Sequence, residues 1–186
     1  MKRIGFFGGC FNPPTIAHME IAQKAIEECN LDKIIFVPMG NKYSKSDLID
    51  FKFRYEMLKI YCSSNPKFEV SSMQENQIDK TYAIDTFKEI EKEYNDSENF
   101  YIMGIDNFIK MKNWKMHQEL IENYQYIVFK RDELLEDKKY NNVRFIDLNL
   151  DISSTDVRKL IRENKSVQKL LYKDVEQYIK NNGLYK

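Results

Sequence analysis

Cysteine, histidine and glycine are scarce in this chain of 186 residues, with three, two and six copies. The cysteines, Cys10, Cys29 and Cys62, are odd in number and scattered, which argues against a disulfide framework and leaves reduced thiols in a cytoplasmic setting as the expectation. Cys29 and Cys62 read as small apolar core fillers. No CxxC pair accompanies His18 and His117, so no protein-bound metal is expected. Neither sign of charge is in excess: 29 Lys and Arg balance 29 Asp and Glu. Without a basic surplus there is no general grip on nucleic acid, and little repulsion stands in the way of a homo-oligomer. No apolar run approaches the ~18 residues of a membrane span. The first residues enter a strand-like run directly, without a charged, apolar, then small-residue leader. Repeats, low-complexity tracts and Pro/Gly linkers are also missing. What remains is 42% hydrophobic and 31% charged residues, a globular composition. Residues 1–186 therefore read as one domain, with a C-terminal helical part over roughly 152–186.

Apolar periodicity predicts strands over 3–7, 33–37, 68–71, 99–103, 126–129 and 143–146. It predicts helices over 16–29, 50–62, 118–124, 155–162 and 167–181, and another through Ala83, Phe87, Ile90 and Tyr94. Short apolar strands alternating with helices imply an α/β fold: a doubly wound, Rossmann-like parallel sheet with C-terminal helices. Such sheets bind ligands beyond the carboxyl ends of their strands. That directs attention to the loops after Phe7, Val37, Met103 and Phe129.

The first of these loops is Gly8-Gly9-Cys10-Phe11-Asn12-Pro13-Pro14-Thr15-Ile16-Ala17-His18. It is neither GxGxxG nor a Walker A sequence, but the physics is related. Glycine lets backbone N–H groups approach a ligand, and the unpaired N–H groups of the following helix attract anions. Thr15 and His18, three apart on the first turn, would share a face and point a hydroxyl and an imidazole at one anion. The plainer reading is a glycine turn, two rigid prolines and a surface histidine. A second candidate is Ser153-Ser154-Thr155, opening a helix with Arg158 on its first turn. Its plainer reading is an N-cap in which Ser153 and Asp156 form a capping box. Trp114, the single tryptophan, stands among Lys112, Asn113, Lys115 and Met116, a polar setting for a core residue.

Gly8-Gly9-x-Phe11-Asn12-Pro13-Pro14-Thr15-x-Ala17-His18 resembles the N-terminal signature of the nucleotidyltransferase superfamily, which reads GGTFDPPHxGH in the nicotinate-nucleotide adenylyltransferases. Ile152-Ser153-Ser154-Thr155-Asp156-Val157-Arg158 resembles the family's ISSTxxR. Between them, Lys45 with Arg54-Tyr55-Glu56-Met57-Leu58 resembles the basic loop and R-x-E-M-L helix. Thr81-Tyr82-Ala83-Ile84-Asp85-Thr86 resembles S-Y-T-x-D-T, and Met103-Gly104-Ile105-Asp106 resembles I-G-A-D. The ending Asn182-Gly183-Leu184-Tyr185 is also typical. Departures are Thr15 for the first histidine of HxGH, Ala17 for its glycine, Cys10 for threonine and Asn12 for aspartate.

The resemblance implies transfer of AMP from ATP to nicotinate mononucleotide, giving deamido-NAD and pyrophosphate, with Mg²⁺ accompanying ATP. It implies His18, Thr15 and Lys45 as catalytic residues, with Lys42 a near competitor of Lys45. It assigns ATP to Gly8, Gly9, Phe11, Gly104, Asp106, Arg131, Ile152, Ser153, Ser154, Thr155 and Arg158. It assigns the mononucleotide to Cys10, Lys45, Arg54, Thr81, Tyr82, Asp85 and Trp114, the indole stacking on the pyridine ring. His18 would donate to a phosphate, and if cationic would stabilise added charge. Thr15 keeps two alternatives open. The phosphopantetheine adenylyltransferases also carry threonine there, and a non-catalytic nucleotide-binding paralogue would tolerate both Thr15 and Ala17.

Overall fold

Strands form where β-branched and aromatic residues run together, and the computed structural model describes residues 1–42, 47–76, 82–130, 140–148, 150 and 152–186. In chain order the elements are β1 (Lys2–Gly9), α1 (Ile16–Cys29), β2 (Lys33–Pro38), α2 (Phe51–Cys62), β3 (Phe68–Val70), α3 (Ala83–Glu93) and β4 (Ser97–Gly104). There follow α4 (Ile105–Lys110), a 3₁₀ turn (Met111–Asn113), α5 (His117–Asn123), β5 (Gln125–Lys130), β6 (Val143–Asp147), α6 (Ser154–Arg162) and α7 (Lys173–Asn181). The sheet runs β3-β2-β1-β4-β5-β6, and every neighbouring pair is parallel. This is the doubly wound order expected from the sequence, with its switch point between β1 and β4.

Alternate residues of each strand feed two cores. Phe7, Ile34, Phe36, Ile102 and Ile127 pack on one face with α1, α2, α6 and α7. Phe6, Ile35, Tyr101 and Val128 pack on the other with α3 and the α4–α5 region. Burying each such side chain contributes about 1.5–3 kcal/mol. α1 ends at Asn30, whose left-handed φ of 50° caps the helix through its N–H to Ile26 O. Gly5 is required by space: a Cβ there would meet Ile34 Cδ1, Ile102 Cδ1 and Leu31 Cδ1 at 2.6, 2.8 and 2.9 Å. Gly5→Ala is expected to lower stability by about 1–3 kcal/mol through overpacking, read as a lower urea midpoint at unchanged m.

Two expectations are corrected. The last helix starts at Lys173, not at 167. Residues 167–172 turn instead, because their backbone groups are used elsewhere: Leu170 O accepts Ile16 N–H at 2.9 Å and Tyr172 N–H donates to the Tyr61 hydroxyl at 3.2 Å. A short helix, α4, stands directly after β4 where only a loop was expected. Among the described residues no helix is long and apolar enough to cross a membrane.

Candidate active site

At the carboxyl end of β1 the chain leaves the sheet through Gly8 and Gly9 and turns at Phe11, whose φ of 48° lies in the left-handed region. A Cβ at Gly8 would meet nothing, so this position faces open space. The loop enters α1 at Thr15, the N-cap, which is completely buried. The Thr15 backbone N–H donates to His18 Nδ1 at 3.0 Å, and the Thr15 hydroxyl lies 2.8 Å from the same nitrogen. An Nδ1 that accepts a backbone N–H carries no proton, so the network assigns the neutral tautomer protonated on Nε2. The ring is half-buried, with Phe7 and Phe11 at centroid distances of 5.9 and 5.1 Å.

Burial lowers the His18 pKa from 6.5 to about 4. The unfolded chain therefore takes up this proton first as pH falls. His18 costs stability progressively from about pH 6.5 down to about 4, and no further below that. An NMR titration of the His18 ring is expected to show its midpoint near 4, and His18→Ala is expected to flatten the stability slope over that window.

The expectation that Thr15 and His18 present two parallel donors to one anion is revised. The Thr15 hydroxyl is buried against the imidazole, so threonine orients His18 and leaves Nε2–H as the free donor.

The start of α6 meets this loop directly. Ser154 Oγ donates to Pro13 O at 2.8 Å and Arg158 Nη1 to Asn12 O at 2.8 Å, joining segments 141 and 146 residues apart. The two motifs assigned to ATP thus meet, although both side chains hold the loop rather than stand open. Ser153 is an N-cap accepting from Asp156 N–H at 3.1 Å, as its plainer reading had it. Thr155 is exposed beside Arg158, and Ile152 is half-buried.

Arg54, assigned to the mononucleotide, is fully buried and holds the same loop from α2. Its Nε donates to Ile49 O at 2.9 Å, Nη1 to Cys10 O at 3.0 Å, and Nη2 reaches Asn41 Oδ1 at 3.4 Å. Its donors face backbone and Asn41, so it is a loop anchor.

On the other face of the sheet a cavity of about 500 Å³ opens beyond β1, β2 and β4, between α3 and the turn carrying Trp114. Gly8, assigned to ATP, and Tyr82 and Trp114, assigned to the mononucleotide, line it together with Lys42. The half-exposed Tyr82 ring carries Lys115 Nζ 4.5 Å from its centroid. Asp85 instead accepts the Tyr82 N–H at 3.3 Å, a helix-capping role. Gly104 caps α4 with open space where a Cβ would stand, and Asp106 is exposed on that helix's first turn. Lys45, Thr81 and Arg131 lie outside the described residues.

Asn107 and Lys110 line the cavity too and had not been singled out. No periodicity marks them in the sequence, because α4 is only six residues long and Trp114 follows a 3₁₀ turn in extended conformation. Another cavity, of about 400 Å³, is lined by α6, α7 and the turn between them and by none of the candidate residues.

The profile of the family described as Cytidylyltransferase-like matches residues 6–160. A protein of Clostridium acetobutylicum named "Probable nicotinate-nucleotide adenylyltransferase" is 35% identical over 100% of both chains. One of the same name from Acholeplasma laidlawii is 37% identical, covering 96% of this chain and 95% of its own. Among solved structures, Plasmodium falciparum nicotinic acid mononucleotide adenylyltransferase complexed with NaAD shares the fold. It superposes with a TM-score of 0.87 at 22% identity, covering 100% of this chain and 98% of that one.

Proposed function

The chain belongs to the nicotinate-nucleotide adenylyltransferase family, and on that premise we propose that it transfers AMP from ATP to nicotinate mononucleotide, giving deamido-NAD and pyrophosphate. The observation that carries the reading is the joining of the two motifs. Ser154 and Arg158 grip the carbonyls of Pro13 and Asn12, at the switch point where a nucleotide belongs.

The mononucleotide's phosphate oxygen attacks the α-phosphorus of ATP. A new P–O bond forms there, the bond to the β-phosphate oxygen breaks, and the electron pair leaves with pyrophosphate. No covalent enzyme intermediate is needed, so the protein's task is positioning and charge stabilisation. His18 donates its Nε2–H to phosphate oxygens as a neutral group, its Nδ1 held by Thr15. The open face of Gly8 admits a ligand against the backbone. The cavity takes the mononucleotide, with Trp114 as stacking platform and Lys42 supplying positive charge at the wall. Among the described residues no three His, Cys, Asp or Glu side chains stand together to hold a metal ion. Mg²⁺ enters the reading with the substrate, as MgATP. No disulfide joins the cysteines among the described residues, which supports a cytoplasmic place of action.

Thr15 is the observation that favours a second reading, phosphopantetheine as acceptor. Pyrophosphate release from MgATP with each acceptor separates the two, and the fluorescence of the single tryptophan provides a binding signal. Turnover with nicotinate mononucleotide, and quenching of Trp114 by it, is the expected result. Turnover only with phosphopantetheine overturns the proposal, and binding without pyrophosphate release identifies a non-catalytic paralogue.

A further inference from the structure

The segment from Cys10 to Thr15 is gripped from outside along its length. Arg54 holds Cys10 O at 3.0 Å, Arg158 holds Asn12 O at 2.8 Å, Ser154 holds Pro13 O at 2.8 Å and Tyr61 reaches Pro14 O at 3.4 Å. One further grip acts on a side chain. The Tyr185 hydroxyl donates to Asn12 Oδ1 at 2.9 Å across 173 residues of sequence.

Both partners are buried, Asn12 at 5% and Tyr185 at 7% exposure. The Asn12 amide has one orientation available. Its Nδ2 donates to Asp47 O at 2.7 Å, which leaves Oδ1 for the tyrosine hydroxyl and, at 3.4 Å, Ile49 N–H. Burial pushes the Tyr185 phenol well above its usual range, so the group is a hydroxyl donor throughout the working pH range. The backbone is strained on both sides of the contact. Phe11, next to Asn12, has φ 48°, and Tyr185 itself has φ 65°. Residues other than glycine hold such a conformation at a cost, and only where surrounding contacts over-determine it. Three residues beyond Asn12 the chain reaches Thr15, whose N–H and hydroxyl fix His18.

We propose that Tyr185 is a positioning residue for adenylyl transfer: its hydroxyl locks Asn12, and through Asn12 the loop that aims the Thr15–His18 pair. This inference rests on His18 acting at the phosphates, as in the reading above. It assigns a task to the C-terminal end of the chain, which contributes no residue to the cavity beside Trp114.

The test is Tyr185→Phe, which removes one oxygen. It is expected to lower kcat about tenfold while KM for nicotinate mononucleotide stays within about twofold, since the mononucleotide cavity is built from other elements. In a His18→Ala background the same change is expected to alter kcat by less than about twofold, because a residue that acts through His18 has nothing left to position. Asn12→Ala is expected to behave the same way in both backgrounds, and combining it with Tyr185→Phe adds nothing. An unchanged kcat in Tyr185→Phe overturns the proposal. So does an equal factor of loss with and without His18, which marks a role in general stability. NMR of the His18 ring nitrogens reads the same displacement without turnover: Tyr185→Phe is expected to move them away from the pure Nε2–H tautomer. Ring resonances identical to wild type overturn the proposal even if the wild-type protein transfers no adenylyl group, an outcome that by itself sinks only the functional reading.

Discussion

With His18 replaced by alanine, pyrophosphate release at saturating MgATP and nicotinate mononucleotide falls by about 10²–10⁴-fold, the range for losing a positioned donor at a charge-developing centre. KM for either substrate changes far less, since the interaction strengthens as charge moves onto the leaving oxygens. The neutral tautomer sharpens the expectation. His18→Gln keeps a neutral N–H donor at similar reach and is expected to recover part of the lost rate, whereas a mechanism needing a cationic imidazole predicts no recovery. Steady-state rates of the three proteins above pH 7 decide between them. A wild-type rate in His18→Ala would remove His18 from the chemistry.

Arg54→Ala is expected to produce the largest loss of stability. The guanidinium is completely buried and satisfies Ile49 O, Cys10 O and, more distantly, Asn41 Oδ1. Truncation strands those acceptors and leaves a side-chain-sized void, at a cost of about 3–5 kcal/mol. For a chain of this length that lowers the thermal midpoint by roughly 10–15 °C. Arg54→Lys is expected to recover less than half of it, because an ammonium cannot donate in three fixed directions. Calorimetry of the three proteins measures the effect. A midpoint within about 2 °C of wild type would show that the loop does not depend on Arg54.

The alternation of short apolar strands with amphipathic helices made the sheet and its switch point legible in the sequence, because burial on both faces leaves continuous apolar runs such as 34–37. The two signatures were legible as motifs, and their meeting was predictable once both opened helices at the same end of the sheet. What was not legible is which donors would be consumed internally. Residue types alone make Arg54, Ser154 and Arg158 look like phosphate ligands. The structure uses all three to satisfy carbonyls of a loop whose two prolines offer no N–H to a local hydrogen-bond ladder. The use of the Thr15 hydroxyl is hidden for a related reason: spacing of three predicts the face it shares with His18, but not that an N-cap threonine turns back onto the third residue of its own helix. α4 is only six residues long, too short for a periodicity signal. The change at 167–172 came from long-range backbone partners, which no local pattern encodes.

The most direct test is a crystal structure with nicotinate mononucleotide and a non-hydrolysable ATP analogue bound together. The account predicts the triphosphate between His18 Nε2 and the start of α6, within hydrogen-bond reach of the imidazole, and the pyridine ring against Trp114 in the cavity. A nucleotide seated elsewhere, or one whose phosphates touch neither helix start, would contradict it.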